Sequence, residues 1–131
     1  MAEGISADVQ RFIEQHIRSV AQLELLLLLR TTSQQPWSPD DLAREMRVEP
    51  WWAQAELLNL CQRGLVEKLG DSPPRYRYQP RADELERAVT DVAQAFLLHR
   101  VRVIEVIYRQ PSEQIRAFAD AFRLRKEPDR G

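Results

Sequence analysis

SPDDLAREMRVEPWWAQAELLNLCQRGLVEKLGDSPPRYRYQ, residues 38–79, is the stretch of sequence that decides the fold. The hydroxyl of Ser38 is suited to cap a helix, and Pro39 fits the first helical position because that position needs no backbone N–H donor. Residues 47–49 then form a tight turn, and Pro50 opens a second helix in the same way. The first half of the stretch therefore predicts two helices joined by a short turn.

The second half of the stretch predicts a β-hairpin. Gly64 is placed to end the second helix as a C-terminal cap. Residues 65–69 and 76–79 have the composition of strands, and the prolines between them belong in a loop because proline cannot donate to a ladder. Apolar residues recur at helical spacing through the stretch, so we expect them to form its packed side: Leu42, Met46, Val48, Ala53, Leu57, Leu60 and Leu65.

Helices are also expected on both sides of this unit. Before it, Ser6 and Ser19 can each cap a helix, and the leucines after Ser19 extend most of the way round, as in a buried helix. After it, residues 82–109 have the apolar spacing of one long helix, which Pro111 ends, and a further helix is expected from Ser112. The expected organisation is a single domain, 1–131, with N-terminal helices in 1–31, the helical unit and hairpin in 37–80, and C-terminal helices in 82–126.

The long C-terminal helix carries an apolar seam that predicts a dimer. Its members alternate at spacings of four and three, as in a coiled coil, with one histidine among them. A helix of this length extends roughly 40 Å at 1.5 Å per residue and cannot bury such a seam on one small domain. We therefore expect a second copy to cover the seam residues: Leu85, Val89, Val92, Phe96, His99, Val103 and Val106.

Composition limits the classes of function. The chain has 131 residues, of which 44% are hydrophobic and 30% charged, and its net charge is −1. This is the composition of a globular domain, and any nucleic-acid contact must come from a local basic patch. The run Leu25–Leu29 is too short to cross a bilayer, and the first residues do not have the pattern of a secretory signal, so a cytoplasmic location and no membrane contact are expected.

The sequence offers no chemistry of an enzyme. Cys61 is the only cysteine and the two histidines, His16 and His99, lie far apart, so no spacing suggests a metal site. No phosphate-binding loop or nucleophile motif is found. We therefore expect neither catalytic activity nor a bound cofactor.

The order of elements resembles the winged helix-turn-helix of bacterial transcriptional regulators. The residues that carry the resemblance are SPDDLAREMRVEPWWAQAELLNLCQRGLVEKLG and the RYRYQP strand after it. With two helices before the unit and long helices after it, the layout is similar to the MarR-type repressors. The resemblance implies a mostly α fold with a small β-wing, a homodimer with interlocking terminal helices, and a second helix that enters the major groove of double-stranded DNA while the wing reaches its backbone or minor groove.

The resemblance also assigns residues to a DNA interface. Between Arg63 and Arg81, five basic residues outnumber two acidic ones, so the wing region carries a net charge of +3. Arginine and tyrosine alternate in the second strand, which places both arginines on one face. The candidate DNA-binding residues on the recognition helix and the wing are Trp51, Trp52, Gln54, Ala55, Glu56, Arg63, Lys68, Arg75 and Arg77.

A second interpretation is a winged-helix module that binds a protein partner and does not read bases. Base readout usually uses arginine, lysine, asparagine or glutamine, and only Gln54 is of this kind at the outward positions of the recognition helix. Trp51 and Trp52 have the character of protein-binding anchors. DNA binding and protein binding both remain open at this point.

Overall fold

The computed structural model describes residues 4–109 of the chain and has the expected fold class, mostly helical with a small antiparallel sheet. The segment from Pro111 to residue 126, where a further helix was expected, lies outside the described residues. The elements, in chain order, are α1 Ala7–His16, α2 Val20–Thr31, α3 Pro39–Met46, α4 Pro50–Gln62, β1 Val66–Leu69, β2 Arg75–Tyr78, α5 Asp83–Leu98 and α6 Arg100–Arg109.

The capping signals in the sequence set the helix boundaries. Ser6, Ser19 and Ser38 are the N-caps of α1, α2 and α3, and each hydroxyl accepts the backbone N–H three residues later. At the end of α4, Gly64 has a positive φ of 78° and donates to the Cys61 carbonyl, while Leu65 donates to that of Leu60. This pair of hydrogen bonds is a Schellman motif, which confirms the glycine cap.

The wing is a hairpin extended by one bridge. β1 and β2 pair antiparallel, with Val66 opposite Tyr78 and Leu69 opposite Arg75. On the other edge of β2, the backbones of Trp37 and Tyr76 exchange two hydrogen bonds of 2.8 Å. The Trp37 indole N–H also donates to the Thr32 hydroxyl at 2.9 Å. The wing is thereby fixed to the segment between α2 and α3, which holds it at a defined place beside the helical unit.

The core is built around α2, whose leucines are buried on several sides as expected. Leu23, Leu25, Leu26 and Leu29 have no accessible surface. Apolar side chains from the other elements complete this core, among them Ile13, Leu42, Leu57, Leu60, Leu65, Tyr76, Val89, Val92 and Val103. Because all helices contribute to one cluster, the helical unit and the C-terminal helices are joined by continuous packing.

The prediction of a single helix over residues 82–109 is wrong, because the helix is interrupted at His99. This residue has φ −136° and ψ 53°, outside the helical region, and separates α5 from α6. Its ring packs on Gly4, where any side chain would overlap the imidazole. Helix α1 contacts both α5 and α6. The break therefore lets the two halves of the C-terminal chain pack on one short N-terminal helix.

Most of the apolar seam of this region packs into the protomer's own core. Five of its members are buried: Val89, Val92, Phe96, Val103 and Val106. Leu85 is half-buried, and His99 is exposed at the break. A side chain without accessible surface cannot lie against a second copy unless the core opens. The exposed large apolar residues of α5 and α6 are Leu97, Leu98, Val101 and Tyr108.

Candidate nucleic-acid interface

The two helices of the central unit are joined by a turn of defined geometry. Arg47 follows α3 in the left-handed region, with φ 59° and ψ 47°. Val48 donates its N–H to the carbonyl of Ala43 at 3.0 Å, which closes the end of α3. Glu49 is extended and Pro50 starts α4 at the first helical position. This turn packs α4 across α3, in the arrangement that exposes the outer side of α4.

The exposed side of α4 is uncharged and largely apolar. Trp51, Ala55, Leu58 and Gln62 follow one another at spacings of four, three and four, and all are exposed. Trp51 retains 70% of its surface and Leu58 41%. Gln54 lies at the edge of this stripe and is half-buried. The outer side of α4 therefore presents an apolar surface and two amide side chains, Gln54 and Gln62, to a binding partner.

Glu56, which was expected to face outward, turns toward α2 instead. Its Oε1 accepts a hydrogen bond of 2.8 Å from Nε2 of Gln22, a residue that is 2% exposed. Burial raises the pKa of Glu56, while hydrogen bonds from Gln22 and Asn59 and the charge of Arg63 act in the opposite direction. Glu56 lies on the side of α4 where the buried face, with Ala53 and Leu57, borders the exposed stripe. From this border its long side chain reaches a polar partner on α2.

Arg63 was also predicted to contact DNA, but in the structure its side chain is hydrogen-bonded to α1. Its Nη1 donates to the carbonyl of Gln15 at 2.9 Å and lies 3.0 Å from Nδ1 of His16. Its Nε donates to Oδ1 of Asn59 at 3.1 Å. Trp52 is half-buried against the core. Of the residues assigned to the recognition helix, Trp51 and Ala55 are exposed and Gln54 is partly so.

The wing presents its basic residues as the alternation predicted. Tyr76 and Tyr78 are buried, whereas Arg75 is exposed and Arg77 partly exposed on the opposite face. Arg77 forms an ion pair of 3.2 Å with Glu67 on the neighbouring strand. Within residues 4–109, the Arg75 side chain has no ion pair or hydrogen bond, although it lines one cleft together with Asp41 and Glu45 of α3. Arg75 is therefore the arginine of β2 that is not paired with a carboxylate.

The third basic residue of the wing lies near the hairpin loop. Lys68 on β1 is exposed and forms an ion pair of 3.3 Å with Asp71. An exposed pair of this kind contributes little to stability, so the ammonium can exchange its partner for a phosphate.

A hydrogen-bonded cluster joins the wing to α5. The hydroxyl of Tyr78 donates to Oε1 of Glu86 at 2.7 Å, and the Thr90 hydroxyl lies 3.2 Å from Oε2 of the same carboxylate. Burial, followed by the contact with Glu86, raises the pKa of the Tyr78 phenol. Arg30 from α2 donates to Thr90 at 3.1 Å. An open cleft of about 690 Å³ lies beside this cluster, between the end of α2, β2 and the start of α5.

Sequence reasoning missed three residues of the exposed surface. Leu58 and Gln62 extend the outward stripe of α4, and counting helical turns onward from Trp51 would have identified both. Arg47 is exposed in the turn between α3 and α4. Its left-handed backbone gives no signal in the sequence, because such positions usually carry glycine or asparagine.

Three further properties of the described residues concern metal ligands, the single thiol and the helix lengths. No cluster of His, Cys, Asp or Glu side chains within residues 4–109 is arranged to hold a metal ion. Cys61 is partly buried, and this burial raises the pKa of its thiol above the ordinary value. Over the same residues, none of the helices combines the length and apolar character that crossing a bilayer requires.

Solved structures share this arrangement. A mutant of MepR from S. aureus, bound to an oligodeoxyribonucleotide, matches with a TM-score of 0.52 and 16% identity over 94% of this chain and 87% of that chain. BpsR of Bordetella bronchiseptica matches with a TM-score of 0.50 and 19% identity over 94% and 84%. The reduced form of MarR from E. coli matches with 0.50 and 14% over 92% and 86%.

No family model and no curated protein matches the sequence. At the identities of the solved structures, the likeness establishes the fold: the chain has the MarR-like winged-helix fold.

Proposed function

We propose that the protein is a dimeric DNA-binding transcriptional regulator, not an enzyme, and that its winged helix-turn-helix makes the DNA contact. The observation that carries this proposal is the wing, which turns both tyrosines into the core and leaves Arg75 and Arg77 outside. The oligodeoxyribonucleotide in the MepR structure supports it, because that fold is the one found here.

The wing and α4 have different roles in this proposal. Arg75, Arg77 and Lys68 contact phosphates, which hold the protein on the duplex without reading its sequence. The stripe on α4 enters the major groove, where Gln54 can form a bidentate pair with adenine and Ala55 can contact a thymine methyl group. Because α4 presents no exposed cation, we expect most of the salt-dependent affinity to come from the wing.

The wing contact is tested by Arg75→Ala. We expect weaker binding on every DNA sequence and a salt dependence whose log–log slope falls by about 0.9 for each phosphate that the wing no longer neutralises. Arg11→Ala is the matched control, because Arg11 is an exposed arginine on α1 that pairs with Asp8 at 2.9 Å. Equal affinities and slopes for Arg75→Ala and Arg11→Ala would contradict the assignment of the wing.

The dimer contact is proposed for the exposed apolar side chains around the helix break. Leu97 and Val101 retain 80% and 71% of their surface, and Leu98 and Tyr108 are also largely exposed. Covering these residues would remove apolar surface from water, which a second copy can do symmetrically. In this proposal Val101→Glu gives a folded monomer by light scattering. A Val101→Glu protein that remains dimeric at the same concentration would exclude this face.

A second candidate function is favoured by the α4 stripe alone. Trp51 and Leu58 lie two turns apart on one face, and a pair of exposed large apolar side chains is typical of a protein contact. In that case the double variant Trp51→Ala, Leu58→Ala loses protein partners in a pull-down and keeps its affinity for DNA. A double variant that loses DNA affinity and keeps its partners supports the regulator instead.

A further inference from the structure

The Arg63 side chain connects the ends of two helices that are distant in sequence. Arg63 is the C-cap residue of α4. Its Nη1 donates to the carbonyl of Gln15, in the last turn of α1, at 2.9 Å, and its Nε donates to Asn59 Oδ1 at 3.1 Å. A cation is favoured here because both helices direct carbonyl groups and the negative end of their dipoles toward it. The guanidinium therefore fixes the end of α4 to the end of α1.

The remaining contact of Arg63 depends on the protonation of His16. Nη1 lies 3.0 Å from Nδ1 of the imidazole. A guanidinium carries only donors and stays charged, so Nδ1 must accept this hydrogen bond and the ring must be neutral with its proton on Nε2. A protonated ring would turn an N–H toward the guanidinium and place two cations in contact. This contact is a hydrogen bond only while His16 is neutral.

Among residues 4–109, the side chains in contact with His16 carry no negative charge, and the carbonyl end of α1, which favours a cation, already binds Arg63. On α1 itself, the Phe12 ring lies against the imidazole with centroids 4.6 Å apart. From α4 the facing charge is Arg63, and Asn59 beside it is neutral. Glu56, one turn earlier on α4, already accepts from Gln22 of α2. Burial, and then the charge of Arg63, lower the pKa of His16 below its ordinary value of 6.5.

We propose that His16 and Arg63 form a proton-operated latch: while His16 is neutral, Arg63 holds the end of α4 against α1, and protonation of His16 releases it. Arg63 is therefore a positioning residue for α4 and makes no contact with DNA. The latch deepens the proposed function and rests on it for its biological readout, since α4 is the helix that would enter the groove. Because α1 also packs on α5 and α6, the latch links the position of α4 to the C-terminal helices.

The sign of the pH effect follows from the lowered pKa. At a pH between the lowered pKa of His16 in the latched form and 6.5, the released form binds one proton more than the latched form. The latch is therefore fully closed above pH 6.5 and opens as the pH falls through the lowered pKa of His16. Glu56 also gains a proton as the medium becomes acidic. A variant that removes only the histidine titration separates the two groups.

The first test is an NMR titration of the protein without DNA, from about pH 7.5 to about pH 5.5. We expect the His16 ring and the backbone amides of Arg63 and Gly64 to shift with one common midpoint. In His16→Asn, whose Oδ1 can take the place of Nδ1 as a permanent acceptor, the Arg63 and Gly64 amides stay constant. In Arg63→Gln the His16 midpoint moves up. His99→Asn, the same change at the other histidine, leaves the titration of His16 and of the Arg63 and Gly64 amides as in the wild type.

Two results overturn the latch: His16 titrates while the amides of Arg63 and Gly64 stay constant, or those amides titrate alike in the wild type and in His16→Asn. The second test measures DNA affinity over the same range, where the wild type should lose about fivefold more than His16→Asn on acidification. Equal losses in the two proteins exclude control of DNA binding by the latch. If neither protein binds DNA at any pH, the regulator proposal fails, and the NMR titration still decides whether the latch exists.

Discussion

Replacing Gln22 by leucine should destabilise the protein, because Gln22 is a polar side chain that is only 2% exposed. Its Oε1 accepts from the backbone N–H of Arg18 at 2.6 Å, and its Nε2 donates to Glu56 at 2.8 Å. The variant Gln22→Leu keeps a similar volume and removes both hydrogen bonds. The variant would then lack the hydrogen bond between Gln22 and Glu56, which orients α4 on α2.

The magnitude follows from the two bonds. Losing a hydrogen bond to a charged group costs about 1.5–3 kcal/mol, and a backbone donor left without an acceptor costs about 1–3 kcal/mol. Burying the leucine side chain returns about 1.5–3 kcal/mol. Glu56 is only partly buried, so water can replace some of the missing interaction. The expected net loss in the free energy of unfolding is about 2 kcal/mol.

The assay is equilibrium unfolding in urea near neutral pH, followed by circular dichroism at one fixed protein concentration, since the stability of a dimer depends on concentration. Gln10→Leu is the matched control, because Gln10 also donates to a glutamate, Glu14, but in an exposed pair of 3.2 Å. It should change stability by less than about 0.5 kcal/mol. If Gln22→Leu is as stable as Gln10→Leu, the reasoning about the buried pair is refuted.

Three other substitutions have expected outcomes in the same assay. Tyr78→Phe removes the hydroxyl that donates to Glu86 at 2.7 Å and should cost about 1–2 kcal/mol; no change would mean that the wing is not held by this bond. Gly64→Ala should cost about 1–2 kcal/mol, because φ is 78° and the new Cβ would lie 3.1 Å from the Arg81 side chain; an unchanged midpoint would contradict the cap. Glu56→Gln should gain stability relative to the wild type as the pH rises from about 4.5 toward 7, because the raised pKa makes the folded wild type bind more protons than the unfolded chain; parallel pH profiles would contradict the burial of this carboxylate.

Local signals in the sequence were sufficient for the start of α3, the end of α4 and the wing. Ser38 and Gly64 act through their own backbone neighbourhood, so their roles can be inferred without knowing what packs nearby. The alternation of Arg75 to Tyr78 works in the same way, because a strand has only two faces and the aromatic face must be the buried one. These features give the fold class and the basic face of the wing.

The helix break and the inward residues of α4 depend on tertiary contacts. No glycine or proline marks the break, and the apolar spacing continues through His99, whose ring packs on Gly4 near the other end of the described chain. Glu56 and Arg63 find their partners 34 and 47 residues away. A pattern within one helix shows that these positions border the exposed stripe, but only the packed structure shows that α1 and α2 take their side chains.

The central claim, that the protein binds DNA through the positive wing, is tested most directly by the affinity of the wild type for labelled duplexes of mixed sequence as salt is raised. Light scattering on the same sample measures whether the protein is a dimer, and circular dichroism measures whether it is folded. The account predicts clear binding at low salt and a straight decline of log affinity against log salt concentration, as phosphate contacts release counterions. A folded dimer that binds no duplex at low salt, or binds with an affinity that salt leaves unchanged, would contradict it.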